Sequence, residues 1–541
     1  MTIESMHGLV DAFADGELPP AEAEAFRGHL VDCVECQRAL RDIMMLTALT
    51  QTHAAALAPA ATSAPPAATR PPPSEGAAVI PLASRRRRVI LITMSTLAAA
   101  AAVVVLWRSS RPEPIVLAQA DRRTLEPRLS DPSADHHRPY DVMRAAGVAH
   151  EEIPVDTLAR LEKRGQLRAL ADGYLLSGEP ERAAELLARA GESAEVESDR
   201  AALALQQRDP QAALAHAARA LTLAPGQPQA RWNRALALRD LGLTVSAAEA
   251  FEAVARGGEA GWADEARARA AALRAVEAER ERSWGAADAA GRAMIATGAV
   301  PAAELVRAHP GLMHRDLYEA LRASGDARRT LGLLPVATAI DAAEGSGRLV
   351  ARVKAAAAET RAHAALAATY ARLAANPAAL TPAAAAAYLA TLARAHDDDR
   401  TFGALVLLGH AGSARAELRR IADASGDPWL VSVADEADGE AGGVVDRASG
   451  PPPSLVEADR RCLAAHLDFR CAHLEYALAL RSPPEQAEAV AQSALARARV
   501  AGVDPRELPR RLLILLGDLA RARGAAALAD AYVAEARLHM P

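Results

Sequence analysis

Apolar residues recur along most of this 541-residue chain at intervals of three and four, the period of an amphipathic helix, and no alternating strand-like runs stand out. From about residue 164 the pattern also repeats. Gly178 closes one helix ahead of EPERAAELLARA, and Gly242 closes another ahead of LTVSAAEAFEAVA. Aligning the two glycines sets Ala183 against Ala247, Leu187 against Phe251 and Ala190 against Val254. Between them Ala213, Ala217 and Ala220 stand at corresponding places, with Arg208 at the turn and Leu223-Ala224-Pro225 after the helix. The three turn positions predict three helix pairs over about 164–261, inside a repeat region assigned to 154–275.

Small residues where paired helices touch, glycine at the turn and proline before the next pair make this region resemble the tetratricopeptide repeat. The resemblance implies an α-solenoid whose concave face binds a protein or peptide ligand. Farther on the period fades but the helical character persists, so 276–541 reads as further helical repeats or a bundle. Trp262 onward continues as long helices, 428–454 reads as a loop or boundary, and the stretch from Arg460 to Gly502 as another helix pair. Cys462 and Cys471, placed on one helix, would be separated by roughly 13 Å, beyond the ~4.4–6.8 Å a disulfide spans, so they read as packing thiols. The fold class expected is all-α.

The first fifty residues carry a different pattern. Leu9, Val10 and Phe13 form one apolar patch, ADGELPP breaks the chain, and Ala21 to Leu30 makes a second helix. A third runs from about Glu35 to Leu49, with Ala39, Leu40, Ile43, Met44 and Leu46 apolar. Fifty residues are too few for a self-sufficient core, so a structural metal is expected to staple a three-helix unit over 1–50. His29, Cys33 and Cys36 read H-x3-C-x2-C, which brings a nitrogen and two sulfurs to one helix face. Zinc takes four such ligands in a tetrahedron; His7 is the best fourth candidate and His53 a reserve. A CxxC redox pair or two ordinary buried thiols would give the same two cysteines.

His7, the DGEL turn at Asp15–Leu18 and HLVDCVEC together resemble the zinc-binding anti-sigma domain of bacteria. The resemblance covers residues 1–50. It implies Zn2+ held by His7, His29, Cys33 and Cys36, and an extracytoplasmic-function-type sigma factor as partner. Leu9, Phe13, Ile43, Met44 and Leu46 exceed what fifty residues can bury and read as the partner-binding surface. Nine acids against three arginines in residues 1–50 repel nucleic acid and favour a basic protein partner.

Residues 51–88 read as a disordered Ala/Pro-rich linker ending in the basic cluster Arg85–Arg88. Val89 to Trp107 contains no charge and is long enough, at roughly 28 Å as a helix, to cross a bilayer. It reads as one transmembrane helix, with the arginines favouring a cytoplasmic N-terminus. Residues 108–153 read as a Pro-rich connector in which His136-His137 is incidental. The localisation expected is therefore a single-pass inner (cytoplasmic) membrane protein with its C-terminal region periplasmic. The order of parts resembles myxobacterial-type multidomain proteins, without their caspase-like CHAT peptidase module. No phosphate loop, HExxH or GxSxG is present, so the chain is expected not to be an enzyme. Two functions fit: a membrane-anchored anti-sigma-type transcriptional regulator with an extracytoplasmic helical-repeat interaction region, or a repeat scaffold whose zinc unit docks another cytoplasmic protein.

Overall fold

The computed structural model describes Leu9, Ala12, Pro19, Glu22, Phe26, His29, Cys33 and Cys36, then residues 121–141, 150–151, 153–359, 364–440, 450–504 and 506–539. The chain divides into two compact units, Met1–Arg111 and Pro112–Pro541.

From Val155 onward the described residues of the second unit are predominantly helical, and among the described residues its β pairing is confined to one isolated bridge, Arg123 to Tyr140. After α1 (Val155–Lys163) come three helix pairs: α2 (Leu167–Leu176) with α3 (Pro180–Arg189), α4 (Ala194–Gln206) with α5 (Pro210–Leu223), and α6 (Pro228–Asp240) with α7 (Thr244–Arg256). Helix α8 (Trp262–Thr297) follows. The expected small contacts are where the pairs meet: Ala183, Ala213, Ala217, Ala220, Ala247 and Phe251 are wholly buried, and Leu187 nearly so. Alanine at these places lets two backbones approach closely, which is why the region is rich in alanine and poor in aromatic residues.

All three intra-pair turns use one device. The second residue after the first helix is left-handed: Gly178 (φ 74°), Arg208 (φ 60°) and Gly242 (φ 71°). The next amide then bonds back five residues, Glu179 to Tyr174, Asp209 to Ala204 and Leu243 to Leu238, closing the helix end. Pro180 and Pro210 open the following helices, where a missing N–H costs nothing. The middle pair thus keeps the turn with an arginine in a conformation that disfavours a Cβ.

The later helices pack into the same body. Helix Ala526–Leu538 returns against α5 and α7, and Glu535 accepts the amides of Val245 (3.2 Å) and Ser246 (2.8 Å). A carboxylate from the end of the chain thereby caps the N-terminus of α7.

Several expectations need correction. Pro428–Glu440 is a helix with Trp429 and Leu430 buried, not a loop. Cys462 and Cys471 form a disulfide with a Cα–Cα distance of 5.6 Å. They lie on two helices, Pro453–Ala464 and Asp468–Arg481, and the reversal at His466 (φ 56°) brings them together. No helix among the described residues is long and apolar enough to cross a membrane. The longest, α8, has 36 residues but carries Asp264, Glu265, Arg267 and Arg269 in its first turns and Glu279, Arg280, Glu281 and Arg282 midway. The expected span, 89–107, lies outside the described residues. The fold of the described residues thus contains no membrane-spanning helix, against the expected transmembrane helix and the single-pass inner-membrane placement with a periplasmic C-terminal region that rested on it. The linker 51–88 also lies outside the described residues.

The strained turn yields a test. Arg208→Gly is expected to raise the stability of the full chain by up to about 1 kcal/mol, whereas Gly242→Ala lowers it by about 1–2 kcal/mol. Denaturant midpoints would reveal this, and a loss of stability in Arg208→Gly would refute the shared turn.

Candidate metal centre and the filled inner face

In the first unit Glu22, Phe26 and His29 are helical, spaced one turn apart. The Cys33 amide bonds back to the His29 carbonyl at 3.1 Å, an i−4 bond that sets Cys33 over His29. Cys36 is helical and buried, and its Sγ lies 3.3 Å from His29 Nε2. Phe26, wholly buried, packs its ring 6.0 Å from the imidazole. The ligand atoms of His29, Cys33 and Cys36 all fall within 4.8 Å of one another, and no other such group occurs among the described residues. A tetrahedral zinc separates neighbouring nitrogen and sulfur ligands by roughly 3.5–3.8 Å, so the set fits the ion. Both cysteines are thiols outside any disulfide, as metal ligation requires. His7 and the reserve His53 lie outside the described residues. So do Phe13, Ile43, Met44 and Leu46, while Leu9 is described and half-buried.

Residues 5–37 match the family described as "Putative zinc-finger", and this match contains all three ligands. The unit binds zinc through a donor set compatible with that ion. No curated protein matches the chain. Among solved structures, the crystal structure of yeast Tom70 aligns with 70% of this chain and 93% of that chain, at 12% identity and a TM-score of 0.21.

In the second unit the expected connector is part of the fold. Residues 121–141 run along the face lined by the first helix of each pair, where a repeat array would take a ligand. The wholly buried Asn233 on α6 accepts the Arg128 N–H at 2.8 Å and donates to the Arg128 carbonyl at 2.8 Å. The Ser130 amide donates to Asp199 on α4 (2.7 Å), and the Asp131 amide to Asp172 on α2 (3.1 Å). Trp232 Nε1 donates to the Glu126 carbonyl (3.1 Å), and Trp262 Nε1 to that of Asp135 (3.0 Å). The segment is thus gripped chiefly by its backbone.

Side chains set the register. Glu126 pairs with Arg239 (2.5 Å) and with Arg269. Arg128, nearly wholly buried, pairs with Asp135 (2.7 Å) and Glu259 (2.6 Å) and lies 4.2 Å above the Trp262 ring. Arg123 reaches Glu265 at 2.6 Å and sits 4.5 Å from the same indole. His137, expected to be incidental, bonds Glu265 at 3.1 Å. Burial would raise the Glu126 carboxyl, but hydrogen bonds and charge from Arg239 and Arg269 outweigh it and hold it down to about 2. Burial raises both the Asp172 and Asp199 carboxyls, against the Arg168 guanidinium between them. The sequence did carry one signal for this face: Asp199 and Asn233 stand one repeat apart, each two residues before an alanine/leucine run, Ala201–Leu205 and Ala235–Leu238.

Each site has its own test. Purified full-length protein is expected to carry one zinc, and Cys33→Ser or Cys36→Ser to lose it; elemental analysis finding no metal in the parent would overturn the assignment. For the inner face, Glu126→Gln should destabilise the protein at pH 7 by about 3 kcal/mol. Because the folded carboxyl titrates below its unfolded value, its contribution is present above about pH 4.5 and fades as pH falls toward 2. Unfolding curves of parent and variant should converge over that window, and a constant gap would contradict the ion-pair account.

Proposed function

We propose that this chain is a non-enzymatic protein-interaction regulator whose zinc unit captures an extracytoplasmic-function-type sigma factor, while the helical repeats form a second protein-binding region. The observation that carries the reading is the zinc set itself: His29, Cys33 and Cys36 converge inside the segment matching the zinc-finger family. His7 completes the tetrahedron in this reading. Zinc then serves as a staple that presents helices too few to bury all their apolar residues. Leu9, Phe13, Ile43, Met44 and Leu46 form the docking surface; the acidic character of residues 1–50 guides encounter with a basic partner and burial supplies affinity. A second reading keeps the zinc unit as a docking piece for a different protein, with the repeats as scaffold.

The full chain with Ile43→Asp and Met44→Asp should retain zinc and the helical circular dichroism of the parent. It should lose co-purification of the sigma factor and repression of its promoter, an effect of at least about ten-fold. Unchanged repression, or a parent protein that retains no sigma factor, would transfer the function to the scaffold reading.

A further inference from the structure

The inner face of the repeats is built like a receptor and is filled by the chain's own segment. The amides of Arg128, Ser130 and Asp131 donate to the buried side chains of Asn233, Asp199 and Asp172 on three successive first helices, and Asn233 donates back to the Arg128 carbonyl, so every bond uses main-chain groups of the segment. Any extended peptide offers these groups, so they hold a strand without choosing its sequence. Selection falls to the ion pairs. Glu126 pairs with both Arg239 and Arg269, while Arg123 and Arg128, each against the Trp262 ring, take Glu265 and Glu259. The pattern read is Arg-x-x-Glu-x-Arg. The fit leaves room: a cavity of about 300 Å³ lies beside Thr124 and Glu126, and the buried Gln206 carbonyl oxygen at its wall has no partner.

We propose that this channel is a receptor for an extended peptide of another protein bearing the Arg-x-x-Glu-x-Arg spacing, with residues 123–128 as its built-in competitor. The inference rests on reading the repeats as a protein-interaction region and names the chemistry of their ligand. A tethered segment acts at a local concentration near the millimolar range, so an external peptide of equal intrinsic affinity is largely excluded until the segment is released. Partner binding at this face is then coupled to detachment of the segment.

The test uses the full chain and a fluorescent peptide of residues 121–141. Parent protein should bind it weakly. The double variant Glu126→Ala, Arg128→Ala loosens the built-in segment but leaves the helices of the channel unaltered, and should bind at least ten-fold more tightly. A peptide carrying the same two substitutions should bind neither protein. Amide exchange of the parent supplies a reading that needs no variant: Arg128, Ser130 and Asp131 should exchange through a partial opening, faster than the interior of α4 and α6. Exchange of those amides only with global unfolding, or a folded double variant that ignores the peptide, would overturn the inference and make the segment a fixed part of the core. Neither result touches the zinc unit, whose role is read from sigma-factor co-purification.

Discussion

Asn233 is wholly buried, and its amide is used on both backbone groups of one residue in a distant segment. The architecture of the second unit depends on that bond and its neighbours. A buried amide or carboxylate without a partner costs about 1–3 kcal/mol, more when charged. Asn233, Asp199 and Asp172 all face the channel, so the first helices cannot pack against an empty interior without that cost. The segment 121–141 removes it by offering N–H and C=O groups that its irregular course leaves available. The two sides are complementary: the helices need the segment's polar groups, and the segment's own hydrogen bonds, such as Arg123 N–H to the Pro139 carbonyl and Asp141 N–H to the Arg123 carbonyl, leave the main chain at Arg128, Ser130 and Asp131 to be satisfied by the helices.

The charges follow the same logic. Burying Glu126 and Arg128 is unfavourable taken singly, yet each meets two opposite charges at bonding distance. Such pairs contribute more to register than to net stability, because their desolvation offsets most of their attraction. What they prevent is sliding. Backbone bonds alone would accept the strand two residues along; with Glu126 paired to two guanidiniums and Arg123 and Arg128 both held against Trp262, a shifted strand would leave charges buried and unpaired.

The repeats were legible because their signals are periodic. Ala183, Ala213 and Ala247 mark the pair contacts, and Gly178 and Gly242 mark the turns, so even the arginine at the middle turn could be placed by spacing. The zinc triad was legible for a related reason: its three ligands lie within eight residues, so local helix geometry alone brings them together. The seated segment has no period, and the helices that hold it lie about forty to one hundred and forty residues away, so nothing local announces it. The disulfide failed through a false premise. Nine residues on one helix are too far apart, but the chain turns at His466, a non-glycine residue in a conformation that sequence rarely signals. The apolar run at 89–107 was read from composition, and no helix among the described residues meets the demand it implied.

The two units solve the problem of small cores in different ways. The first has too few residues around its zinc set for a self-sufficient core and uses a metal as a staple, so its integrity follows thiolate chemistry. The second has ample alanine and leucine but carries buried polar groups along one face, so its integrity follows occupancy of that face. Zinc loss would release helices that present a docking surface, whereas loss of the segment would expose a channel that prefers an extended strand. On the two proposals made above, one chain would hold two interaction surfaces with separate physical controls, one set by metal and thiol state and one by competition for a peptide channel. Because the controls share no residue, a partner at the repeats can act without disturbing the zinc ligands.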